Sequence, residues 1–173
     1  NPVQFTVTFH VKDNKIPYLW DPEKAARFKY PVRDKNNVLD IFLEPCGSML
    51  LVFEPKALDL PVYPKPIIPS DHVLAKIDQW QATFEHHVKD EIFMIDMHPL
   101  MDVARSKDER LNEFGGVITY KTKVTVEDPS RIVLNLGKVY GISEVEVNGK
   151  NVGVNWYGRP LFDMKDMLKK GEN

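Results

Sequence analysis

The sequence predicts an all-β protein, a small antiparallel β domain followed by a β-sandwich, on three observations. Apolar and polar residues alternate with period two over 3–11 and again over 118–126. Asn148-Gly149 separates two further alternating runs, 144–147 and 150–154, and is the pair that a two-residue type I′ hairpin turn prefers. Short apolar runs recur between Gly, Asn, Asp and Pro turns, with almost no helical periodicity.

In the first strand Val3, Phe5, Val7, Phe9 and Val11 share one face and Gln4, Thr6, Thr8 and His10 the other, so it is half-buried. Asp13-Asn14 ends it. Two prolines in Pro17-Tyr18-Leu19-Trp20-Asp21-Pro22 forbid central-strand pairing and favour an extended or turning path. Strands resume at 27–32 and 38–43, with Asp34-Lys35-Asn36-Asn37 as the turn between them. Residues 49–53 are continuously apolar and predict a strand buried on both faces, its start set by Pro45 and Gly47-Ser48. The segment 1–60 is therefore an all-β domain.

Pro61, Pro64, Pro66 and Pro69 defeat helix and regular strand and make 61–70 a stiff linker. The second domain, 71–173, opens with strands at 73–77, 80–84 and 92–97. The polar stretch 106–113 is a loop with at most one helical turn, and strands follow at 118–126 and 132–136. The hairpin runs into a loop, 156–160, that mixes two aromatics, a cation and a proline. A short amphipathic helix is expected next, capped by Asp163, with Met164, Met167 and Leu168 on one face and Gly171 at its close.

Charge and cysteine content narrow the function. Lys plus Arg number 23 against 25 Asp plus Glu, so no global field favours nucleic acid or an anionic membrane surface. The single cysteine, Cys46, forms no internal disulfide and leaves the compartment open. No apolar run reaches the length of a bilayer span. The chain starts at Asn1 directly in a strand and reads as a piece of a longer polypeptide, with any catalytic domain expected upstream.

Chemistry is not encoded in any recognisable spacing. Asp and Glu occur throughout, but nothing fixes two of them across a glycosidic bond. Cys46 and Ser48 beside Gly47 lack a nucleophile-elbow pattern. Adjacent His86 and His87 point to opposite faces of a strand, and no zinc-ligand spacing occurs. Binding has a better basis. Sugars present apolar C–H faces and hydroxyl rims, and Asn155, Trp156, Tyr157 and Arg159 combine aromatic platforms with planar donors and acceptors. The alternative is structural, with Trp156 filling the sandwich edge and Arg159 paired with a carboxylate such as Asp163.

Several of these segments carry a family resemblance. The run 139–173 resembles the "V.VNGK.VG..W…P…D…L..GEN" pattern of the galactose-binding-like, sugar-binding β-sandwich attached to many glycoside hydrolases. Leu136-Gly137-Lys138-Val139 resembles its "LDLG.V" step, with Asn135 in place of the acidic residue, and Gly115-Gly116-Val117 keeps a glycine of its "FSG" segment without the serine. Pro17 to Pro22 resembles the "PELWDP" segment, and Gly47-Ser48 through Phe53-Glu54-Pro55 the "GS.fvVFr.P" segment, of large α-L-rhamnosidase-type enzymes. A family-two-like β-glycosidase is the second parent.

The resemblance implies an all-β accessory domain followed by a galactose-binding-like jelly-roll. Because "GEN" there precedes a final apolar strand, this sandwich is expected to lack its last strand. It further implies the non-catalytic C-terminal part of a secreted or periplasmic glycoside hydrolase, bracing the upstream catalytic domain and binding carbohydrate. Some such domains bind calcium through oxygen ligands, for which Asp78, Asp90, Glu91 and Asp96 are candidates by chemistry alone. The rival is a structural or protein-interaction β-sandwich of a cell-surface protein.

Overall fold

The computed structural model describes residues 1–13, 15–34, 36–68, 73–130 and 132–173. Asn14 and Lys35, the end of the expected linker at 69–70 and the start of the second expected domain at 71 lie outside the described residues. The chain is all-β. Its strands are β1 (Val3–Thr8), β2 (Ile16–Asp21), β3 (Ala26–Lys29), β4 (Val38–Leu43), β5 (Leu50–Glu54), β6 (Trp80–His86) and β7 (Glu91–Met97). After a 3-10 turn (Val103–Arg105) and the one-turn helix α1 (Glu109–Asn112) come β8 (Gly116–Lys121), β9 (Thr125–Val126), β10 (Val133–Asn135) and β11 (Ser143–Val147). β12 (Lys150–Asn155), β13 (Leu161–Asp163) and β14 (Gly171–Glu172) complete the order.

Two compact units are assembled from alternating pieces of chain: Asn1–Pro69 with Arg131–Met167, and Ser70–Ser130 with Leu168–Asn173. The segment 71–173, expected to be one domain, is thus shared between them.

In the first unit β1 pairs antiparallel with β4, and β2 is central between β3 and β5, against the expectation from its prolines, because Pro17 stands near the strand's start and Pro22 beyond its end. The β2 register puts Leu19, Phe28 and Leu51 in one cross-strand row. These three pack with Tyr30, Leu39 and Ile41 into the core. The proline-rich run does not stand apart as a linker. Prolines offer no N–H, but the Tyr63 N–H between them donates to the Lys29 carbonyl (2.9 Å) and the Lys29 N–H to the Pro61 carbonyl (2.8 Å). Tyr63 then stacks on Tyr30 at 5.7 Å. β5 is only half-buried, with Leu50 52% exposed, and stands at the edge of the β3-β2-β5 sheet. The first strand stops at Thr8, short of 11, and Phe9 leaves the ladder to donate to the Asn37 carbonyl.

The expected hairpin is β11–β12. Asn148 and Gly149 adopt φ of +52° and +76°, the left-handed pair a type I′ turn requires. The expected helix after it does not form. Asp163 does accept from the Lys165 N–H, but Leu161 and Phe162 are held in β13 against β10, and Asp166 at φ +63° ends the turn after the Met167 N–H reaches the Met164 carbonyl. One turn without further propagation is not a stable helix.

In the second unit β6 is central between β7 and β8. Ala82, Phe84, Met97 and Leu111 form the core, with Phe84 stacked on Phe93 at 4.9 Å and edge-on to Phe114 at 5.1 Å. The α1 turn brings in Leu111 and is capped by Asp108, whose carboxylate accepts from the Arg110 N–H. The long alternating run 118–126 breaks into β8 and β9 where Thr122 leaves the ladder and donates its hydroxyl to the Gln79 carbonyl at 2.7 Å. β14 pairs with β9, and Asn173 and Val124 exchange backbone hydrogen bonds of 2.9 and 3.1 Å. Residues 73–77 are irregular, not the expected strand, and Val73 and Leu74 are largely exposed.

Candidate functional site

The 156–160 loop follows β12 directly, and two polar side chains fix its path. Asn155, the last residue of β12, donates through Nδ2 to the carbonyls of Tyr157 (2.7 Å) and Arg159 (3.3 Å), bridging the loop from the strand end. The loop closes where the Leu161 N–H donates to the Arg159 carbonyl and the Leu136 N–H to the Pro160 carbonyl. Gly158 sits at φ +72°, and a Cβ there would lie 3.0 Å from that of Glu44. The left-handed backbone favours glycine, and a side chain there would also push on Glu44.

Arg159 does not pair with Asp163. Its Nε and terminal nitrogen grip both oxygens of Glu44 at 2.9 and 2.7 Å, and the terminal nitrogen also donates to the Ile67 carbonyl at 3.3 Å. The guanidinium carbon lies 5.7 Å from the centre of the Phe42 ring. Such a bidentate, charge-assisted pair is directional as well as strong. Hydrogen bonding to Glu44 raises the Arg159 pKa first, burial opposes it, and the Glu44 charge adds to the rise. Arg159 and Asn155 are therefore positioning residues for the loop.

The two aromatics are what the loop presents. Trp156 is 60% exposed, which overturns a core role, and its ring meets that of Tyr157 edge-on at 4.8 Å. Tyr157 is half-buried. Burial raises its phenol pKa, and the charge of Glu23, hydrogen bonding to Glu23, and the charges of Asp21 and Tyr63 add to the rise. The loop thus meets the turn after β2, where Asp21 accepts from the Glu23 and Lys24 N–H groups. Glu23, Asp21, Glu44 and Phe42 were not legible as site residues. The Trp20-Asp21-Pro22 motif was the one available signal, and nothing local marks Glu44, 115 positions from Arg159.

An exposed indole beside a phenol can receive the C–H face of a pyranose and bond its hydroxyls. Asp78, Asp90, Glu91 and Asp96 are not gathered. Among the described residues no group of three or more His, Cys, Asp or Glu could hold a metal ion. No helix among them is long and apolar enough to cross a membrane.

No protein-family model and no curated protein matches the chain. Among solved structures it is similar to a rhamnosidase from Novosphingobium sp. PP1Y, with a TM-score of 0.68 and 24% identity over 98% of this chain and 16% of that chain. At this identity what the two share is the fold, and the chain spans a small part of the length of the rhamnosidase.

Proposed function

We propose that the chain is a non-catalytic, all-β part of an α-L-rhamnosidase-like glycoside hydrolase, bracing the catalytic domain of the same polypeptide and binding carbohydrate at the 155–159 loop. The observation that carries this reading is the lopsided coverage, 98% of this chain against 16% of a rhamnosidase, which fits an accessory piece of a large enzyme. The exposed Trp156 on a doubly anchored loop supports the binding part. A galactose-binding-like arrangement and export to the periplasm or medium, where polysaccharides are met, belong to the same reading.

Calorimetric titration with rhamnose and rhamnose-containing oligosaccharides tests it, beside melting curves. Trp156→Ala is expected to abolish binding and leave the thermal midpoint within about a degree or two, since an exposed ring contributes little to the core. A sharp fall in the midpoint, or undiminished binding, would sink the reading. Hydrolysis of aryl rhamnosides by this chain, abolished by a single Asp or Glu substitution, would overturn the non-catalytic part.

One observation favours a protein-interaction reading instead. Ile142 and Trp156 flank the Ser143–Asn155 pair of the hairpin, with Val154 next to it, and Ile142 and Val154 are 76% and 58% exposed. Contiguous exposed apolar residues mark protein interfaces. On that reading Ile142→Lys and Val154→Lys abolish docking to a partner domain, whereas on the sugar reading they leave glycan affinity intact.

A further inference from the structure

The first unit holds a second concavity, at the end of the β2–β3 hairpin, whose lining shares no residue with the 155–159 loop. Its volume is about 710 Å³, within the usual range of small-molecule sites. Ile16, Pro17, Pro31, Val32 and Val62 give it an aliphatic floor, and Lys15, Lys29, Asp34 and Asn37 stand around it. Val32 and Val62 are 40% and 61% exposed, so the floor is open to solvent.

The polar inventory decides what the groove accepts. Pro17 and Pro31 carry no N–H, the Tyr30 N–H is bonded to the Pro17 carbonyl (3.0 Å), and the Lys29 N–H to the Pro61 carbonyl. The Tyr30 hydroxyl donates to the Asp40 carbonyl at 2.7 Å. The Tyr30 and Lys29 backbone N–H groups are therefore spoken for. The side chains remain. Neither Lys15 nor Lys29 is ion-paired among the described residues, whereas Arg33 close by is taken up by Asp40. Asp34 spends one carboxylate oxygen on the Asn36 N–H, and its charge opposes a multiply charged anion.

We propose that this groove binds a compact organic monocarboxylate, its apolar body on the aliphatic floor and its carboxylate between the Lys15 and Lys29 ammonium groups. Two ammonium groups satisfy one carboxylate, and the aliphatic floor rewards a body with C–H surface. That chemistry has two sources, a uronic acid unit of a glycan or a free aryl or alkyl acid. The site stands independently of the role given to Trp156.

Two matched pairs of probes test it by amide chemical shifts of Val32 and Val62: galacturonate against neutral galactose, and 3-phenylpropanoate against its amide. The acid of at least one pair is expected to bind about tenfold or more tighter than its neutral mate, the scale of one charge-assisted contact. Lys15→Gln and Lys29→Gln each weaken it by a similar factor with unchanged melting, and Trp156→Ala leaves it unaffected. The responding pair identifies the source. Equal binding of acid and neutral mates, indifference to both lysine substitutions, or no shifts with either acid at millimolar concentration would overturn the proposal.

Discussion

Each unit contains a turn shaped by one polar side chain bonded to backbone just ahead of it, and the two differ in what lies behind that bond. In the second unit His86, 7% exposed and edge-on to Phe114 at 5.4 Å, accepts through Nδ1 from the N–H groups of Val88 (3.2 Å) and Lys89 (3.4 Å). In the first unit Asn155 works with the opposite polarity, donating to two loop carbonyls. The His86 turn links adjacent strands and displays Val88, 86% exposed, with no aromatic on it. The Asn155 loop displays Trp156 and has a second anchor, Arg159 on Glu44, from a distant part of the sequence. A local side-chain bond suffices to set the path of a hairpin turn. Holding an exposed indole in one place takes a long-range tether as well, because the ring brings no burial of its own to fix the backbone.

The largest effect is therefore expected at the tether. Arg159→Ala leaves the half-buried Glu44 carboxylate and the Ile67 carbonyl without their donor and uncovers one face of Phe42. The expected loss is about 2–3 kcal/mol by chemical denaturation, the scale of a hydrogen-bonded charge pair broken from one side. Arg159→Lys keeps the charge without the fork and recovers only part of it. Equal stability of Arg159→Ala and the parent would mean that the tether does not hold the loop.

A smaller effect is expected at His86. His86→Leu takes the acceptor from two turn amides, at a cost of about 1 kcal/mol at most, since water can reach N–H groups in an exposed turn. It also removes the buried Nε2, which has no partner among the described residues, and that relief offsets part of the cost. The sharper readout is local. Amide exchange at Val88 and Lys89 is expected to quicken while the strand amides of β6 keep their protection, and unchanged exchange at both would show that the His86 bonds do not shape the turn.

What the sequence made legible follows the range of the interactions. The β11–β12 hairpin and β4 were readable because alternation and Asn148-Gly149 act within a few residues. Trp156, Tyr157 and Arg159 share one loop and Asn155 ends β12 beside it, a closeness that sequence order alone provides, whereas the roles of Asn155 and Arg159 as anchors were not visible. On the structural alternative Arg159 meets a carboxylate such as the nearby Asp163, but its partner comes from the turn after β4, and no local pattern encodes that. The expected helix fails for a related reason. Its cap and its apolar spacing are present in the sequence, yet the pairing of Asp163 with Val133 holds the cap residue in a strand, and the left-handed Asp166 ends the turn that follows. Local propensity gave way to a long-range ladder.

The smallest effect sharpens the comparison at the meeting of the loop with the β2 turn. Burial raises the Tyr157 phenol pKa above its ordinary value, and the Glu23 and Asp21 carboxylates add to the rise. Between the unfolded and folded values the folded chain binds more protons than the unfolded one. The contribution to stability is therefore complete below the unfolded pKa of about 10 and is lost as pH rises through the folded value. Tyr30, Tyr63 and Tyr120 are raised as well, with burial the largest cause in each, so the parent's alkaline slope contains them too. Tyr157→Phe isolates the loop by difference, and its stability is expected to fall less steeply above pH 10 than that of the parent. Glu23→Gln should bring the phenol titration, followed by the ultraviolet absorbance of tyrosinate, part of the way back towards the ordinary value, because burial remains. If Tyr157→Phe and the parent lose stability in parallel, the phenol is not enclosed where the loop meets Asp21 and Glu23. The Trp156 platform would then rest on Asn155 and Arg159 alone.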